Sequence, residues 1–152
     1  MLKLLHIVRP DRVFFGEKDY QQLVVVRRLA RDLDIPARIA GVTTVREADG
    51  LALSSRNAYL TPQERRIAPA LARELRRIAA ALTAEPAAVL RETTRGRTDL
   101  EQAGFVVEYL EVRAADTLAS VAAAVIGHAR VFAAVHLGQT RLIDNVPIAP
   151  VA

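Results

Sequence analysis

Apolar and polar positions along this chain change period several times, and each change marks an element. Val13 to Phe15 is a short apolar run behind Arg9-Pro10-Asp11; it predicts a buried strand ending at Gly16. From Asp19 to Leu33 the apolar residues Tyr20, Leu23, Val26, Ala30 and Leu33 return at helical spacing, and Pro36 marks the end of that helix. Ala37 to Val42 predicts a second strand. Strand, helix and strand in so short a length make a right-handed parallel crossover. Thr43 to Asn57 has no clean period, holds Gly50 and two serines, and reads as a loop. Loops that follow parallel strands are where such sheets bind ligands.

The pattern changes at Thr61. Thr61-Pro62-Gln63-Glu64 offers an N-cap, a proline at the first helical position and the glutamate of a capping box. Ile67, Leu71, Leu75, Ile78 and Leu82 then predict one apolar helical stripe. Pro86 opens a second helical stretch that Gly104 closes. Phe105 to Val112 and Arg130 to Leu137 predict strands, and Gly138-Gln139 turns the latter into Thr140 to Ile143 as a hairpin. There is no internal repeat, and the only biased patch is Ala119 to Ala124. The residues thus predict an α/β unit over 1–60 and a compact α+β unit over 61–152. Two parallel strands and one helix are too little for an independent parallel sheet, which needs cover on both faces. The first unit therefore reads as the last part of a larger doubly wound domain.

Composition narrows the classes. The 152 residues are 51% hydrophobic and 25% charged, a globular balance that argues against disorder. No apolar run reaches the ~18–20 residues that cross a bilayer, so no membrane partner is expected. The first residues lack the apolar centre of a signal peptide. With no cysteine, disulfides and thiolate chemistry are excluded, and a cytoplasmic setting is expected. The formal charge of +4 prompts a search for a nucleic-acid surface. The only lysines are Lys3 and Lys18, the arginines are spread among acids, and no aromatic residues interleave with them. No nucleic-acid partner is expected.

Two segments carry candidate chemistry. Gly16-Glu17-Lys18-Asp19 falls where a strand runs into a helix N-terminus, whose free N–H groups attract anions. Gly16 allows close approach of a ligand, Lys18 supplies a compact cation, and Asp19 either caps the helix or accepts a ribose hydroxyl. A plain glycine turn with a capping Asp and a solvated Lys accounts for the same residues. Leu53-Ser54-Ser55-Arg56 offers two hydroxyls and a guanidinium that can donate to phosphate oxygens and to departing pyrophosphate. An ordinary serine-rich loop is the alternative. Both segments follow strands at the same carboxyl edge, which favours one anion or nucleotide site.

Phe-Gly-Glu-Lys-Asp-Tyr-Gln-Gln-Leu at 15–23 and Asp-Gly-Leu-Ala-Leu-Ser-Ser-Arg-Asn at 49–57 resemble the two C-terminal signatures of the pantothenate synthetases, the ATP-dependent pantoate–β-alanine ligases. The resemblance continues through Tyr59-Leu60-Thr61 and resumes at Tyr109 to Val112 and Gly138 to Asn145, so it spans essentially the whole chain. It implies the C-terminal part of a nucleotidyltransferase-type Rossmann domain over 1–60, followed by a small α+β lid domain over 61–152. It implies ligation of pantoate and β-alanine through a pantoyl adenylate, with ATP as substrate, Mg²⁺ held by ligands outside this chain, and a homodimer in the full-length enzyme. ATP contacts carry over to Gly16, Glu17, Lys18, Asp19, Val45, Leu53, Ser54, Ser55 and Arg56, with Val45 presenting its backbone to the adenine. Catalytic roles fall to Lys18 and Arg56, and pantoate to Gln22. The chain departs from the family at Thr43, where Pro is usual. Its three histidines, His6, His128 and His136, lie singly and form no His-x-Gly-His, the family motif that stabilises the adenylation transition state. The chain is accordingly expected to be inactive alone. The alternative is a non-catalytic nucleotide-binding or assembly module that requires a separate N-terminal partner.

Overall fold

A computed structural model describes residues 1–123 and 127–148. The chain forms two compact units, Met1–Thr44 and Val45–Ala152. The division falls before the composition change near Leu60, because the 45–60 segment bonds to later residues of the second unit: Arg46 to Asp144, and Glu47 and Asp49 to Arg65. The last residue of the Ala119–Ala124 patch and the last four of the chain lie outside the described residues.

In the first unit a short helix, α1 (Leu2–Val8), precedes strand β1 (Arg12–Gly16). A 3₁₀ turn over Glu17–Asp19 leads into α2 (Tyr20–Asp32), and β2 (Arg38–Val42) follows. The strands pair in parallel, from Arg12 opposite Arg38 to Gly16 opposite Val42. Helix α2 packs on them and buries Leu23, Val24, Val26 and Ala30. Two expectations change here. No periodicity announced α1. Strand β1 is not buried as its apolar run predicts: Phe14 is 65% exposed. One helix covers only one face, and β1 has a neighbour along one edge.

The second unit opens on the 45–53 segment and a 3₁₀ turn over Ser55–Tyr59. Thr61 then starts α3 (Pro62–Ile67) with a complete capping box: its Oγ1 accepts from Glu64 N–H, and Glu64 Oε2 accepts from Thr61 N–H. The single helix expected over this stretch is two, because α4 (Pro69–Ala84) begins anew at Pro69. Proline has no N–H, and its ring clashes with the carbonyl one turn back. The stripe survives the break: Leu71, Leu75, Ile78 and Leu82 are fully buried, and Ile67 packs at the margin. A 3₁₀ turn at Pro86–Ala88 leads into α5 (Val89–Gln102), which closes at Gly104 with Phe105 N–H bonded to Leu100 O. Strands β3 (Val106–Ala114), β4 (Ala129–Leu137) and β5 (Thr140–Pro147) form one antiparallel sheet in that order. The last strand thus runs further than Ile143. Helices α4 and α5 pack on this sheet, and Val107, Leu110, Val131, Val135, Leu142 and Val146 join the helical leucines in the core. Among the described residues no helix is long and apolar enough to cross a membrane.

Candidate functional site

The chemistry-bearing residues predicted from sequence fall into two contiguous groups, one in each compact unit. In the first unit, β1 ends at Gly16, the N-cap of the 3₁₀ turn, and α2 begins one residue after that turn's Asp19. Asp19 Oδ1 accepts from Gln22 N–H at 3.2 Å, so Asp19 caps α2, the first of its two predicted roles. The helix dipole adds partial positive charge at this end of α2. Gly16 has φ −66°, open to any residue, and a Cβ built on it would meet nothing within 4 Å. Among the described residues nothing requires glycine at this position. Gly41 on β2 is the contrast: a Cβ there would press on Glu17 Oε1 at 2.9 Å and Leu23 Cδ2 at 3.0 Å, so glycine lets α2 lie close on the strand. Val42, opposite Gly16, ends β2 at the same edge, and the chain continues through Thr43 and Thr44 toward Val45.

In the second unit, what reads as a patternless loop is a tight miniature hairpin. Leu53 N–H donates to Val45 O at 2.9 Å and Glu47 N–H to Leu51 O at 2.8 Å, with Arg46 bridged to Ala52. Val45 and Leu53, expected to meet adenine and phosphate, are therefore direct neighbours. Asp49-Gly50 forms the tip: Asp49 Oδ1 accepts from Leu51 N–H, and Gly50 has φ +91°, a conformation that favours glycine. Leu51 inserts into the core beside the leucines of α4. Ser54 Oγ then caps the following 3₁₀ turn by accepting from Arg56 N–H at 3.3 Å. The turn touches β5. Ser55 and Arg56 are exposed on it.

Sequence reasoning missed the residues that hold this segment. Arg46 forks onto Asp144 of β5, Nη1 to Oδ2 at 2.6 Å and Nη2 to Oδ1 at 2.9 Å. Arg65 of α3 donates to Asp49 Oδ2 at 2.6 Å and to Glu47 Oε2 at 2.5 Å. Asn57 Nδ2 donates to Glu47 Oε1 at 2.9 Å and Ala52 O at 3.2 Å, while its Oδ1 is buried without a partner among the described residues. The bonds from Asn57 and then Arg65 hold the Glu47 carboxyl below its ordinary range; Arg65 and then the Leu51 amide do the same for Asp49. Both acids therefore stay ionised, and the Arg65 guanidinium offsets one of their two charges. One signal was available for Asp144. In β5 it shares the parity of Leu142 and Val146, and a charge at a core-facing position requires a partner.

Among the described residues no three His, Cys, Asp or Glu side chains come together as a group that could hold a metal ion. The resemblance itself implies Mg²⁺ ligands outside this chain.

The sequence profile of the family described as Pantoate-beta-alanine ligase matches residues 1–147. A pantothenate synthetase of Paramagnetospirillum magneticum is 54% identical over 149 residues, covering 97% of this chain and 52% of its own length. One from a Bradyrhizobium strain is 51% identical over 148 residues, 96% of this chain and 51% of its own. The crystal structure of pantothenate synthetase from Thermus thermophilus matches with a TM-score of 0.89 at 43% identity, covering 98% of this chain and 54% of that one. A pantoate-beta-alanine ligase from Francisella tularensis, complexed with beta-gamma ATP and beta-alanine, matches with a TM-score of 0.68 at 30% identity, over 97% and 47% of the two chains. The chain spans about half the length of the curated relatives it matches. Signatures, mixed α/β fold and relatives agree that the chain belongs to the pantoate-beta-alanine ligase family.

Proposed function

We propose that this chain is the later half of an ATP-dependent enzyme that joins pantoate to β-alanine through a pantoyl adenylate. In the first step a pantoate carboxylate oxygen bonds to the α-phosphorus of ATP, and pyrophosphate departs with the electrons of the broken bond. In the second the β-alanine amine bonds to the acyl carbon, loses a proton, and AMP leaves. The observation that carries this reading is the Gly16–Asp19 turn: a glycine that nothing among the described residues requires, set between a parallel strand and the N-terminus of α2. The ATP and β-alanine complex of the Francisella relative supports it.

The roles follow from chemistry. Gly16, Glu17, Lys18 and Asp19 receive ATP, with the Lys18 ammonium on its phosphates. Gln22, a donor and an acceptor in one side chain, takes the hydroxyls and carboxylate of pantoate. Val45 meets adenine through its backbone. Leu53, Ser54, Ser55 and Arg56 receive the phosphates, and the Arg56 guanidinium offsets the charge that gathers on pyrophosphate. Mg²⁺, a homodimer of the full-length enzyme and a cytoplasmic setting belong to the same reading. So does a partial Rossmann unit followed by a lid, and the exposed Phe14 and Val42 favour a first unit that works only with more sheet beside it.

The test supplies the complementary half from a relative, such as the Paramagnetospirillum enzyme, and follows pantoyl adenylate in a single turnover across a pantoate series. Lys18→Ala should lower the adenylation rate by about 10²-fold or more with little change in pantoate affinity. Gln22→Ala should act chiefly through pantoate. An unchanged rate in Lys18→Ala would remove its phosphate role and leave it a solvated lysine at a helix start.

A further inference from the structure

Strand β5 places Leu142 and Val146 in the core, and Asp144 lies between them on the same face with its side chain only 2% exposed. A carboxylate so buried is costly without a counter-charge. The counter-charge comes from a distant part of the sequence: Arg46 occupies both Asp144 oxygens with its planar fork. The same Arg46 Nη1 donates to Gly50 O at 3.1 Å, across the base of the hairpin tip. One guanidinium therefore ties the hairpin to itself and to the sheet. Arg65 holds the other side of the tip through Glu47 and Asp49, and Leu51 anchors it in the core. A segment that receives a polyphosphate through exposed groups loses affinity to the entropy of ordering itself, unless the fold has ordered it beforehand.

We propose that Asp144, acting through Arg46, is a positioning residue that keeps Val45–Arg56 in its nucleotide-receiving form. This rests on the nucleotide role proposed above for that segment. Val45 and Leu53 share a hydrogen bond, and Ser54 and Arg56 follow directly, so a shift at Arg46 passes into all four. The pair is a tether between the β-sheet and the segment.

The test compares four versions of the full chain: unaltered, Asp144→Asn, the double variant Arg46→Met with Asp144→Leu, and Arg56→Ala. The double variant removes both charges at once, which keeps a buried site foldable where a single change strands one charge. Thermal unfolding and site-resolved amide exchange are measured on each, and ATP binding by calorimetry on each with the complementary half supplied. In the double variant the melting temperature and the protection of Val131 and Val135 should persist. The amides of Glu47, Gly50 and Leu53 should exchange about tenfold faster or more, and ATP affinity should fall about tenfold. Arg56→Ala should weaken ATP binding while leaving those three amides protected. Unchanged exchange at Glu47, Gly50 and Leu53 in both tether variants would overturn the tether. Faster exchange with unchanged ATP affinity would overturn its link to the nucleotide. Faster exchange alongside no ATP binding by the unaltered chain with that half present would overturn the nucleotide role of the segment, and the proposal with it.

Discussion

Glu92 on α5 is buried, and two arginines reach it: Arg77 Nη1 donates at 2.7 Å and Arg91 Nε at 3.0 Å. Arg77 also clasps Glu74, one turn back on α4, so the network crosses between the two helices. The bonds from Arg77, and then Arg91, hold the Glu92 carboxyl below the ordinary glutamate range. A group whose folded value is depressed stabilises the fold above its unfolded value, and that contribution is lost as pH falls through the folded one. Glu92→Gln should therefore be less stable than the parent near neutral pH, and the gap should close as the pH drops below the usual glutamate range. Urea melts of both proteins between pH 7 and about pH 3 measure this; a gap that widened toward acid would contradict the assignment. The candidate site shares charge differently, since one Arg65 offsets one of the two charges of Glu47 and Asp49. Without it, the full double charge would stand on the segment proposed to receive a triphosphate.

At the scale of elements, the crossing of α4 and α5 depends on a missing side chain. A Cβ on Gly96 would lie 2.6 Å from Ile78 Cδ1, 2.8 Å from Glu74 Oε1 and 3.2 Å from Leu110 Cδ2. Helix propensity alone favours alanine over glycine by about 1 kcal/mol. Overpacking a filled core costs about 1–3 kcal/mol, and here the added carbon meets α4 and β3 together. Gly96→Ala should thus destabilise the chain by about 1–2 kcal/mol net, read as a lower midpoint in thermal unfolding. A higher midpoint would mean that the crossing has slack. Gly50 poses the opposite case, since its constraint is backbone: φ is +91°, and a Cβ would also meet Arg76 Nη1 at 3.0 Å. Gly50→Ala should cost about 1–3 kcal/mol and loosen the hairpin tip before it disturbs the sheet. Amide exchange at Leu51 against Val135 separates the two.

For the whole molecule, the contrast between the units matters most. The second has a continuous core of two helices on a three-stranded sheet. The first has one buried helix face on two strands, and Phe14, Val25 and Val42 are exposed. Local opening tracks the density of buried apolar contacts. Amides of Val13 to Phe15 should therefore exchange faster than those of Leu71 to Leu82; the reverse order would show that the first unit is complete as it stands. The chain by itself should form no pantothenate from pantoate, β-alanine and ATP, because no His-x-Gly-His is present to stabilise the adenylation transition state. Product that depends on ATP and β-alanine, from a preparation free of host enzyme, would overturn this.

What the sequence determined by itself is whatever depends on near neighbours. The stripe of α4, the capping box at Thr61, the closing turn at Gly104 and the β4–β5 hairpin all rest on interactions a few residues apart, and all were legible. The two signatures from which the candidate site is proposed could be read for the same reason, being contiguous words. Pro69 was legible too, but a strong apolar stripe masked the break it imposes. Tertiary structure decided the rest. Whether Phe14 is buried depends on what lies beside β1, not on its own apolarity. Whether Gly96 may carry a side chain depends on Ile78 and Leu110. The pairing of Arg46 with Asp144 joins residues 98 positions apart, and no local period can announce it. Only the fold brings that carboxylate out of water, and once it is buried, its need for a counter-charge ties the hairpin to the sheet.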